Sequence, residues 1–382
     1  MSNGRSVCKL EVSFTTPAFL GGSDQSAQWR TPPFKALLRQ WWRVAYAAER
    51  SFSVNIGEMR KAERELFGGA AGSSGSRSRV HLRMDWRGGS ERAQAWRQKR
   101  FATQEHPETD DRNPRTDLYL FYGVVNQGRL QRKAYLQENR PCIIGLGFPG
   151  AHSRPMMRTL LLSNWFGTLG GRSRNGSGSV VFRSADDGNH PWDVDWGQAL
   201  DPGNAEARAP LRALARDWRE ALGADWIHAV GQDERGLLIW RTQEAFDSWE
   251  KALDALAMAK IAYRTLFHFK GGGRPHQSLC DRQVIAYPIT RHSLRAWGNQ
   301  ARLANQMIMK VHKMGGKYVG VIAHLPHGLP SVLRRRLSDG DQSRVRGMER
   351  NVWRRVHAAL DGKLDDEIRN EARLSELLMR LG

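Results

Sequence analysis

VCKLEVSFT (Val7–Thr15) and TPPFKALLRQWWRVAYAAER (Thr31–Arg50) are the two segments that decide the fold of this chain. Apolar and polar residues alternate along the first segment, which is typical of a half-buried β-strand. In the second, Thr31 is a good helix N-cap, Pro32 suits the first helical position, and apolar residues recur at helical spacing. The sequence therefore predicts that a strand opens the fold and that an amphipathic helix follows it.

Further elements of the same kinds extend to about residue 182. The predicted helices are Glu58–Phe67 and Pro155–Leu169, and the predicted strands are Val80–Trp86, Leu118–Val125, Cys142–Phe148 and Val180–Phe182. Between about Arg87 and Thr116 lies a polar stretch with almost no apolar period, which predicts an insertion or a long loop. The order strand, helix, strands, helix, strand is that of a ferredoxin-like βαββαβ unit.

A segment rich in Pro, Gly and Asp, from about Arg183 to Asn204, predicts a domain boundary. The elements predicted after it are helices at about 207–222 and 244–266, a hairpin over Gln306–Leu325 that turns at Met314–Gly316, and two charged amphipathic helices from about Ser343 onwards. We therefore expect an α+β chain with an N-terminal domain over 1–190, a second domain over 191–340 and a helical tail over 341–382.

The chain carries far more positive than negative charge. Its 382 residues include 59 Lys and Arg, most of them Arg, against 39 Asp and Glu, for a formal net charge of +20 and a pI of about 10.5. Arg pairs with phosphates through its planar fork and stacks on bases. With 40% hydrophobic residues and 14 Trp, the chain is too apolar to be a disordered basic tail. These values predict a folded polyanion binder of two to three domains.

Cysteine use indicates a reducing compartment. Cys8, Cys142 and Cys280 lie far apart in the sequence, and an odd number cannot form a disulfide framework. The N-terminus lacks the apolar core of a signal peptide, and no window approaches the roughly 18 apolar residues of a membrane helix. A basic amphipathic anchor with exposed apolar bulk is also absent. We therefore expect a soluble, cytoplasmic protein with no membrane partner.

A basic stripe with aromatic neighbours is predicted on the first helix. Lys35, Arg39 and Arg43 stand four residues apart, and Trp42 and Tyr46 lie beside them. Phosphates would bind the cations and bases would stack on the rings, as in surfaces that bind single-stranded nucleic acid. A solvated helix face with partly packed aromatic residues fits the same pattern equally well.

The glycine-rich loop over residues 170–178 is the second candidate site. Its glycines would let backbone N–H groups converge on a phosphate, while its arginines supply charge. The residues concerned are Gly170, Gly171, Arg172, Arg174, Gly176 and Gly178. The loop lacks the GK[ST] ending of a Walker loop and leads into a strand, so nucleotide hydrolysis is not predicted. A mobile basic hairpin is the alternative interpretation.

Catalytic and metal-binding patterns are weak. A nucleophile elbow, an HExxH motif and a dinucleotide fingerprint are all absent from the sequence. His276 and Cys280 have ligand spacing, but no second pair accompanies them, so neither a metal site nor a cofactor is predicted. His81 and His312 fall on predicted strands, where a lone histidine is more often structural than catalytic. We therefore expect no enzymatic activity.

Short segments of the chain resemble the RAMP superfamily of CRISPR effector proteins and, more narrowly, the family of first subunits of type III-B Cmr complexes. The segments are TTPAFLGG (15–22), WRTPPFKALLRQWWR (29–43), ELFGG (65–69), GGRSRNGSGSV (170–180), and ARLANQMIMKVHK followed by GKYVGVIAHLP (301–326). They lie in the order expected for that family. The polar insertion and the charged tail fall outside the matched segments.

The resemblance implies two ferredoxin-like (RRM-like) domains with a C-terminal helical extension. It also implies a non-catalytic RNA-binding subunit that caps the effector filament near the 3′ end of the CRISPR RNA. The implied partners are CRISPR RNA, target RNA and other RAMP subunits, and the RNA-binding residues carried over are Lys35, Arg39, Trp42, Arg43, the loop 170–178, Arg302 and Lys310. A multi-copy backbone subunit is one alternative. A RAMP endoribonuclease is another, although residues 31–50 contain no histidine near the first helix.

Overall fold

Two antiparallel sheets of four strands each organise the described part of the chain. The computed structural model describes residues 4–69, 75–85, 90–108, 113–186, 188, 190–269, 275–368 and 373–382. The strands of the first sheet are β1 (Arg5–Phe14), β2 (His81–Asp85), β3 (Cys142–Pro149) and β4 (Val180–Ser184). Those of the second sheet are β5 (Ile239–Thr242), β6 (Met307–Met314), β7 (Lys317–His324) and β8 (Leu378–Arg380).

Both sheets have the same strand order. The first runs β2-β3-β1-β4 and the second runs β6-β7-β5-β8, with antiparallel neighbours throughout. The longer helices that connect these strands are α1 (Thr31–Ala48), α2 (Ile56–Phe67), α3 (Ser153–Phe166), α4 (Trp249–Thr265) and α5 (Asp339–Leu360). The second half therefore follows the path strand, helix, strand, strand, helix, strand, and the first half follows the same path with a second helix, α2, before β2. The prediction of an α+β chain is confirmed.

Shorter elements fill the connections. The short strands are Ser90–Arg92, Val125–Asn126, Arg129–Leu130, Ala134–Leu136, Ala215–Asp217, Val230–Asp233 and Gly236–Leu237. The short helices are Ala93–Gln98, Thr116–Leu120, Gly150–His152, Trp196–Ala199, Glu206–Arg208, Ala209–Arg212, Trp218–Ala221, Asp281–Ile285, Ser331–Arg334, Asp365–Glu367 and Leu374–Leu377.

Helix α1 covers one face of the first sheet. Arg30 is its N-cap, and the two prolines that follow Thr31 occupy positions where a backbone N–H has no partner inside the helix. Phe34 and Trp41 are buried in the core, and the ring of Phe34 lies 6.4 Å from that of Phe14 on β1. The period of apolar residues thus places the helix against the sheet, as the sequence predicts.

The second sheet is covered on both faces. Toward its own helices, Gly320 on β7 lies so close to α4 that a Cβ there would be 2.8 Å from Leu256 Cγ. Toward the first half, His312 on β6 lies 3.1 Å from the carbonyl oxygen of Trp165, with its ring 3.9 Å from that of Trp196. Along β6, Ile308 belongs to the hydrophobic cluster that contains α1, whereas Met309 and Val311 belong to the cluster that contains α4, so alternate residues enter two different cores.

A lysine of the second half binds the end of a helix in the first half. Lys310 on β6 donates hydrogen bonds to the carbonyl oxygens of Ser163, Asn164 and Val180, at 3.3, 2.5 and 2.6 Å. Ser163 and Asn164 belong to the last turn of α3, where the carbonyl of Ser163 also accepts from the N–H of Gly167. Burial lowers the pKa of Lys310 well below its usual value. The two halves are thus joined by a buried polar contact.

Two predictions about the middle of the chain are corrected by the structure. The segment Leu118–Val125 is predicted as a strand, but its first three residues belong to the helix Thr116–Leu120. The buried carboxylate of Asp117 sets this helix, because it accepts hydrogen bonds from Arg115 and from the indole of Trp96. In the part of the polar stretch that the structure describes, residues 90–108 and 113–116, Trp96 is fully buried and its ring lies 6.4 Å from that of Trp249. This part is therefore anchored in the core rather than looped out.

The predicted helical tail over 341–382 is part of the second sheet. Helix α5 begins at Asp339 and packs against α4. Strand β8 then pairs with β5, placing Trp240 opposite Arg380 and Thr242 opposite Leu378. Such pairing across more than a hundred residues leaves no local signal in the sequence. The second unit of repeated topology therefore spans residues 239–380, and the segment between the two units contains short elements instead of the helix predicted at 207–222.

Four buried histidines should make the stability of the fold depend on pH. Burial lowers the pKa of His357 to about 3 and that of His327 to about 4, and it lowers those of His312 and His324 well below the ordinary value. The unfolded chain therefore binds more protons below about pH 6.5, and the free energy of unfolding should fall with decreasing pH by up to about 1.4 kcal/mol per unit and group.

Urea unfolding between about pH 7 and 5 tests this expectation. His357→Gln keeps a polar partner for His324, which lies 3.0 Å away, and should reduce the pH dependence by about one proton. His268→Gln, at a side chain that is 46% exposed and lies 4.0 Å from Glu108, is the control and should change the dependence less than His357→Gln does. Equal pH profiles for His357→Gln and the unmodified chain would contradict the interpretation.

Candidate functional site

The basic stripe of α1 forms as predicted, but a carboxylate neutralises part of it. Arg39 Nε and Arg43 Nη2 each donate to Glu63 Oε1 of α2 at 2.9 Å, and Arg43 Nε lies 2.5 Å from Oε2. Burial opposes the charge of Glu63, yet the hydrogen bonds and charges of the two arginines hold its pKa below the usual range. Lys35 is half-buried, and burial together with the charge of Arg39 lowers its pKa. Glu63 leaves the arginine pair with one uncompensated charge.

The aromatic part of that prediction is corrected by the structure. Trp42 is 2% exposed and packs between the rings of Tyr46 at 4.9 Å and Phe67 at 5.9 Å. Tyr46 is 6% exposed, and the guanidinium of Arg50 covers its ring at 3.5 Å. Both rings belong to the helix-facing core, so neither presents a free face on which a base could stack. The interpretation with packed aromatic residues describes this helix.

The glycine loop is tightly packed. A Cβ at Gly178 would lie 1.9 Å from the carbonyl oxygen of Leu169, and one at Gly170 would lie 2.8 Å from the backbone of Phe19. Gly176 lies against α4 of the second half, where a Cβ would be 2.6 Å from Leu253 Cδ2. All three have positive φ angles. The glycines are therefore required by close backbone approach and by their left-handed conformation, and the alternative of a mobile hairpin is not what the structure shows.

Three of the four glycine N–H groups of the loop are already bonded within the protein. Gly171 donates to the carbonyl of Phe19, Gly176 to that of Ser173, and Gly178 to that of Pro17. The predicted convergence of these N–H groups on a phosphate is therefore corrected, because their donors point at carbonyl oxygens of the chain itself. These three glycine N–H groups therefore do not serve an anion at this loop.

Three of the predicted RNA-binding cations make structural contacts. Arg174 Nη1 donates to the carbonyl of Asn305 at 2.5 Å, so it holds the loop to the second half. Lys310 is 1% exposed and caps α3. Arg302 is exposed, but its guanidinium donates to the carbonyls of Asn299 and Ala301, both at 2.7 Å. The prediction that Lys310 contacts RNA is corrected because Lys310 is buried. The prediction for Arg174, which is half-buried, is corrected because the carbonyl of Asn305 binds its guanidinium.

Four cations meet beside the glycine loop, and we refer to Arg132, Arg172, Lys260 and Arg264 as the loop cation cluster. Arg132 Nη2 lies 3.3 Å from where a Cβ of Gly171 would be, and Arg172 Nη2 lies 3.4 Å from that of Gly123. Burial, and then the charges of Arg264 and Arg172, lower the pKa of Lys260 well below its usual value. Within the described residues, no carboxylate forms an ion pair with any of the four.

The geometry of the cluster depends on strained backbone and on both halves of the chain. Arg172 has a φ of 58°, a conformation that a long side chain rarely adopts without support. Lys260 comes from α4, and its Nζ donates to Asn175 Oδ1 of the glycine loop at 2.7 Å. Arg264, one turn further along α4, donates to the hydroxyl of Tyr119 at 3.1 Å. The exposed guanidinium of Arg172 can bind an anion such as a phosphate, while the buried Lys260 holds Asn175 of the loop in place.

Only Arg172 of this cluster was predicted from the sequence. Arg132 follows a short hairpin, and Lys260 and Arg264 face the loop from a helix nearly ninety residues later. Their common location results from packing between the halves, which no local pattern reveals. Lys260 and Arg264 are four residues apart and therefore share one face of α4, and this spacing is the sequence signal that could have predicted a basic face on that helix.

Metal ligands and membrane helices are not found in the described residues. His276 bonds to the ring of His292 at 2.9 Å, and the residues that the structure describes contain no group of three or more His, Cys, Asp or Glu side chains that could hold a metal ion. Among the helices that the structure describes, none is both long and apolar enough to span a bilayer.

Solved structures of CRISPR proteins are similar to this chain. One is the crystal structure of Cmr1 from Pyrococcus furiosus in its apo form, with 15% identity, a TM-score of 0.46, and coverage of 84% of this chain and 87% of that chain. Another is a chain in the cryo-EM structure of the type III-B Cmr-beta bound to cognate target RNA, with 10% identity, a TM-score of 0.44, and coverage of 92% and 99%. No family model and no curated protein matches the sequence. The function is therefore inferred from the residues of this chain.

Substitution at Gly178 tests the close packing of the loop. Gly178→Ala would place a Cβ 1.9 Å from the Leu169 carbonyl oxygen, and we expect the free energy of unfolding to fall by at least about 3 kcal/mol. Gly298→Ala is a matched control, since Gly298 has a φ of 62° against 61° for Gly178 but has nothing within 4 Å. The control should lose about 1 kcal/mol, and equal losses in urea unfolding would contradict the packing argument.

Proposed function

We propose that this chain is a non-catalytic RNA-binding subunit of a type III-B CRISPR effector complex. In this role it caps the protein filament near the 3′ end of the CRISPR RNA and helps to bind target RNA. Its partners are these two RNAs and the other RAMP subunits. The sequence segments that resemble the first Cmr subunits support the family, and the loop cation cluster is the observation that carries RNA binding.

The topology of both halves supports the proposal of two ferredoxin-like domains. Each half connects its strands as βαββαβ, with the second helix α2 before β2 in the first half, and each sheet places its first and third strands at the centre. This is the path of the ferredoxin-like split βαβ unit. The first domain extends over β1 to β4, and the second over β5 to β8, so the helical extension expected from the resemblance is replaced by the final helix and strand of the second domain.

Uncompensated charge favours the loop cation cluster over the α1 stripe as the main RNA contact. Arg132 and Arg172 have no ion-pair partner in the described part of the chain, whereas Arg39 and Arg43 share Glu63. Unpaired guanidinium groups neutralise RNA phosphates and release the counterions bound to them, and this release supplies much of the affinity of such proteins for RNA. Lys35, Arg39 and Arg43 would extend the contact along the first domain with a smaller contribution.

The double variant Arg132→Ala/Arg172→Ala tests this assignment. Fluorescence anisotropy with a labelled single-stranded RNA should show at least about tenfold weaker binding at moderate salt, and the slope of log K against log salt should shrink by about 0.7 for each phosphate that the variant no longer neutralises. Arg350→Ala removes an exposed cation from α5 and is the control. Unchanged affinity and slope for the double variant would overturn RNA binding at the cluster.

Stoichiometry separates a cap from a backbone subunit. In a complex assembled on CRISPR RNA, native mass spectrometry should count one copy of this chain for each complex. Several copies would instead identify a multi-copy backbone subunit and would overturn the proposed position at the filament end.

A specific observation favours one alternative, a RAMP endoribonuclease. The ring of His106 lies 5.6 Å from that of Tyr119, whose hydroxyl accepts a hydrogen bond from Arg264 of the cluster. Burial lowers the pKa of His106, which favours the neutral ring that a general base requires. Incubation of the chain with a repeat-containing RNA, without metal and then with it, separates the two functions. Cleavage abolished by His106→Ala would replace the non-catalytic assignment, and intact RNA is the result we expect.

A further inference from the structure

A cavity of about 520 Å³ lies away from the loop cation cluster and shares none of its residues. Its wall is formed by the segment that follows α1, by residues 216–228, and by residues 328–349. The side chains that matter here are Phe52, Arg216, Trp226, His228, Arg334 and Glu349. A volume of this size is in the range of small-molecule sites and accommodates one nucleotide.

Aromatic rings form one side of the cavity. The ring of His228 lies 5.1 Å from that of Trp226 and 6.4 Å from that of Phe52. Arg216 lies 5.8 Å from the centre of the Phe52 ring and 3.4 Å from His228 Nε2. His228 Nδ1 lies 3.0 Å from the carbonyl oxygen of Trp226, so Nδ1 carries the proton and Nε2 accepts from Arg216. Trp226 and Phe52 are half-buried and expose ring surface on which a base can stack.

A buried carboxyl group faces the same space. Glu349 is 3% exposed, and its Oε1 accepts one hydrogen bond, from the backbone N–H of Leu329 at 2.6 Å. In the described residues it forms no ion pair, although Arg346 and Arg334 lie close enough to favour its charge. Each carboxylate oxygen has two lone pairs, so both oxygens can still accept hydrogen bonds. A carboxylate with unused acceptors at the wall of a cavity can take hydrogen bonds from a ligand that supplies donors.

Cations at the cavity supply a place for phosphate. Among the described residues, the guanidinium of Arg334 has no hydrogen-bond or ion-pair partner, while Arg346 Nη1 donates to the carbonyl of Leu222 at 3.2 Å. The two other acids of the lining already have partners in the protein: Glu220 forms an ion pair with Arg216 at 3.2 Å, and Asp225 accepts a hydrogen bond from the N–H of Ser331 at 3.0 Å. The cavity thus offers aromatic surface, a buried acceptor and a free cation.

We propose that this cavity binds a guanine nucleotide. Guanine presents two adjacent donors, N1–H and N2–H, on the edge that would face Glu349, while adenine, cytosine and uracil do not offer this pair. The base stacks on Trp226 and Phe52, and the phosphate binds Arg334. This site goes beyond the RNA binding proposed for the loop cation cluster and does not depend on it.

A positively charged group of a protein partner is the competing occupant. An arginine side chain could also stack on aromatic rings and donate to a carboxylate. The three arginines of the lining are matched in number by its three acids, Glu220, Asp225 and Glu349. The chain as a whole, however, has a formal net charge of +20. This overall charge repels a cationic partner and attracts a phosphate, which favours the nucleotide.

Isothermal titration calorimetry with the full chain and GMP, AMP, CMP or UMP tests the proposal. Burial raises the pKa of Glu349 to about 7, so titration at about pH 8 keeps it ionised. GMP should bind at least about tenfold more tightly than the other three nucleotides, the discrimination expected from a two-donor contact. Equal binding of all four, binding of none, or binding of arginine amide in place of GMP would each overturn the proposal.

Variants of the full chain connect the binding to the named residues. Glu349→Gln keeps an acceptor for the Leu329 N–H but turns a donor toward guanine, so GMP affinity should fall at least about tenfold while the fold is kept. Trp226→Leu should weaken all four nucleotides alike, because it removes stacking. Glu206→Gln makes the same chemical change at an exposed position and should bind GMP normally. Unaltered GMP binding by Glu349→Gln would overturn the recognition by Glu349.

Two further measurements identify the source of the nucleotide and separate this site from the proposed RNA surface. In the first, short RNAs that end in 3′ guanosine or in 3′ cytidine compete with GMP for the cavity. If the RNA that ends in guanosine competes better, the natural ligand is a nucleotide of bound RNA; if the two RNAs compete equally, it is a free nucleotide. Both results support a guanine site. Arg132→Ala/Arg172→Ala should retain GMP binding. If that variant lost GMP binding together with RNA binding, the nucleotide would occupy the loop cation cluster and the cavity assignment would fail.

Discussion

Lys310 places an amine from the second half of the chain against the carbonyl end of α3 in the first half. A cation without water is costly, and here three backbone oxygens take the place of its solvent. Because α3 leads directly into the glycine loop, this contact sets where the loop begins. Arg174 and Asn175 then attach the loop to β6, through Met309 and the carbonyl of Asn305. The position of Arg172 therefore depends on contacts made by the opposite half.

The basic side chains of this protein have two separate uses. One group satisfies buried backbone oxygens, as Arg208 does when it donates to the carbonyls of Ala199 and Asp201 and of the final residue, Gly382. The other group lacks acidic partners among the described residues and is represented by Arg132 and Arg172. A count of charges cannot distinguish the two groups, because net charge reports attraction to polyanions but not which side chains remain free. Burial and pairing make that distinction.

Local patterns predicted the elements of the first half well, because amphipathic periods record which face of a strand or helix is buried. The strand β1, the helices α1 to α3 and the hairpin of β6 and β7 agree with the sequence to within a few residues. The strand expected at Leu118–Val125 is wrong, since the buried carboxylate of Asp117 favours a helical turn that its apolar neighbours do not reveal. Trp42 and Tyr46 fit two interpretations equally, and only their packing against Phe67 and Arg50 decides between them.

The sequence by itself determined an α+β chain, rich in positive charge, with a basic first helix and a glycine loop at which backbone segments approach closely. Its periods and glycines report local geometry, and local geometry is what a single segment can encode. The tertiary structure decided that residues 341–382 complete a second sheet, that Lys310 and Arg174 join the halves, and that Lys260 and Arg264 lie beside Arg172. It also decided that Glu349 faces a cavity lined by Phe52 and Trp226. These outcomes depend on contacts between residues far apart in the chain, which arise when buried faces pack together.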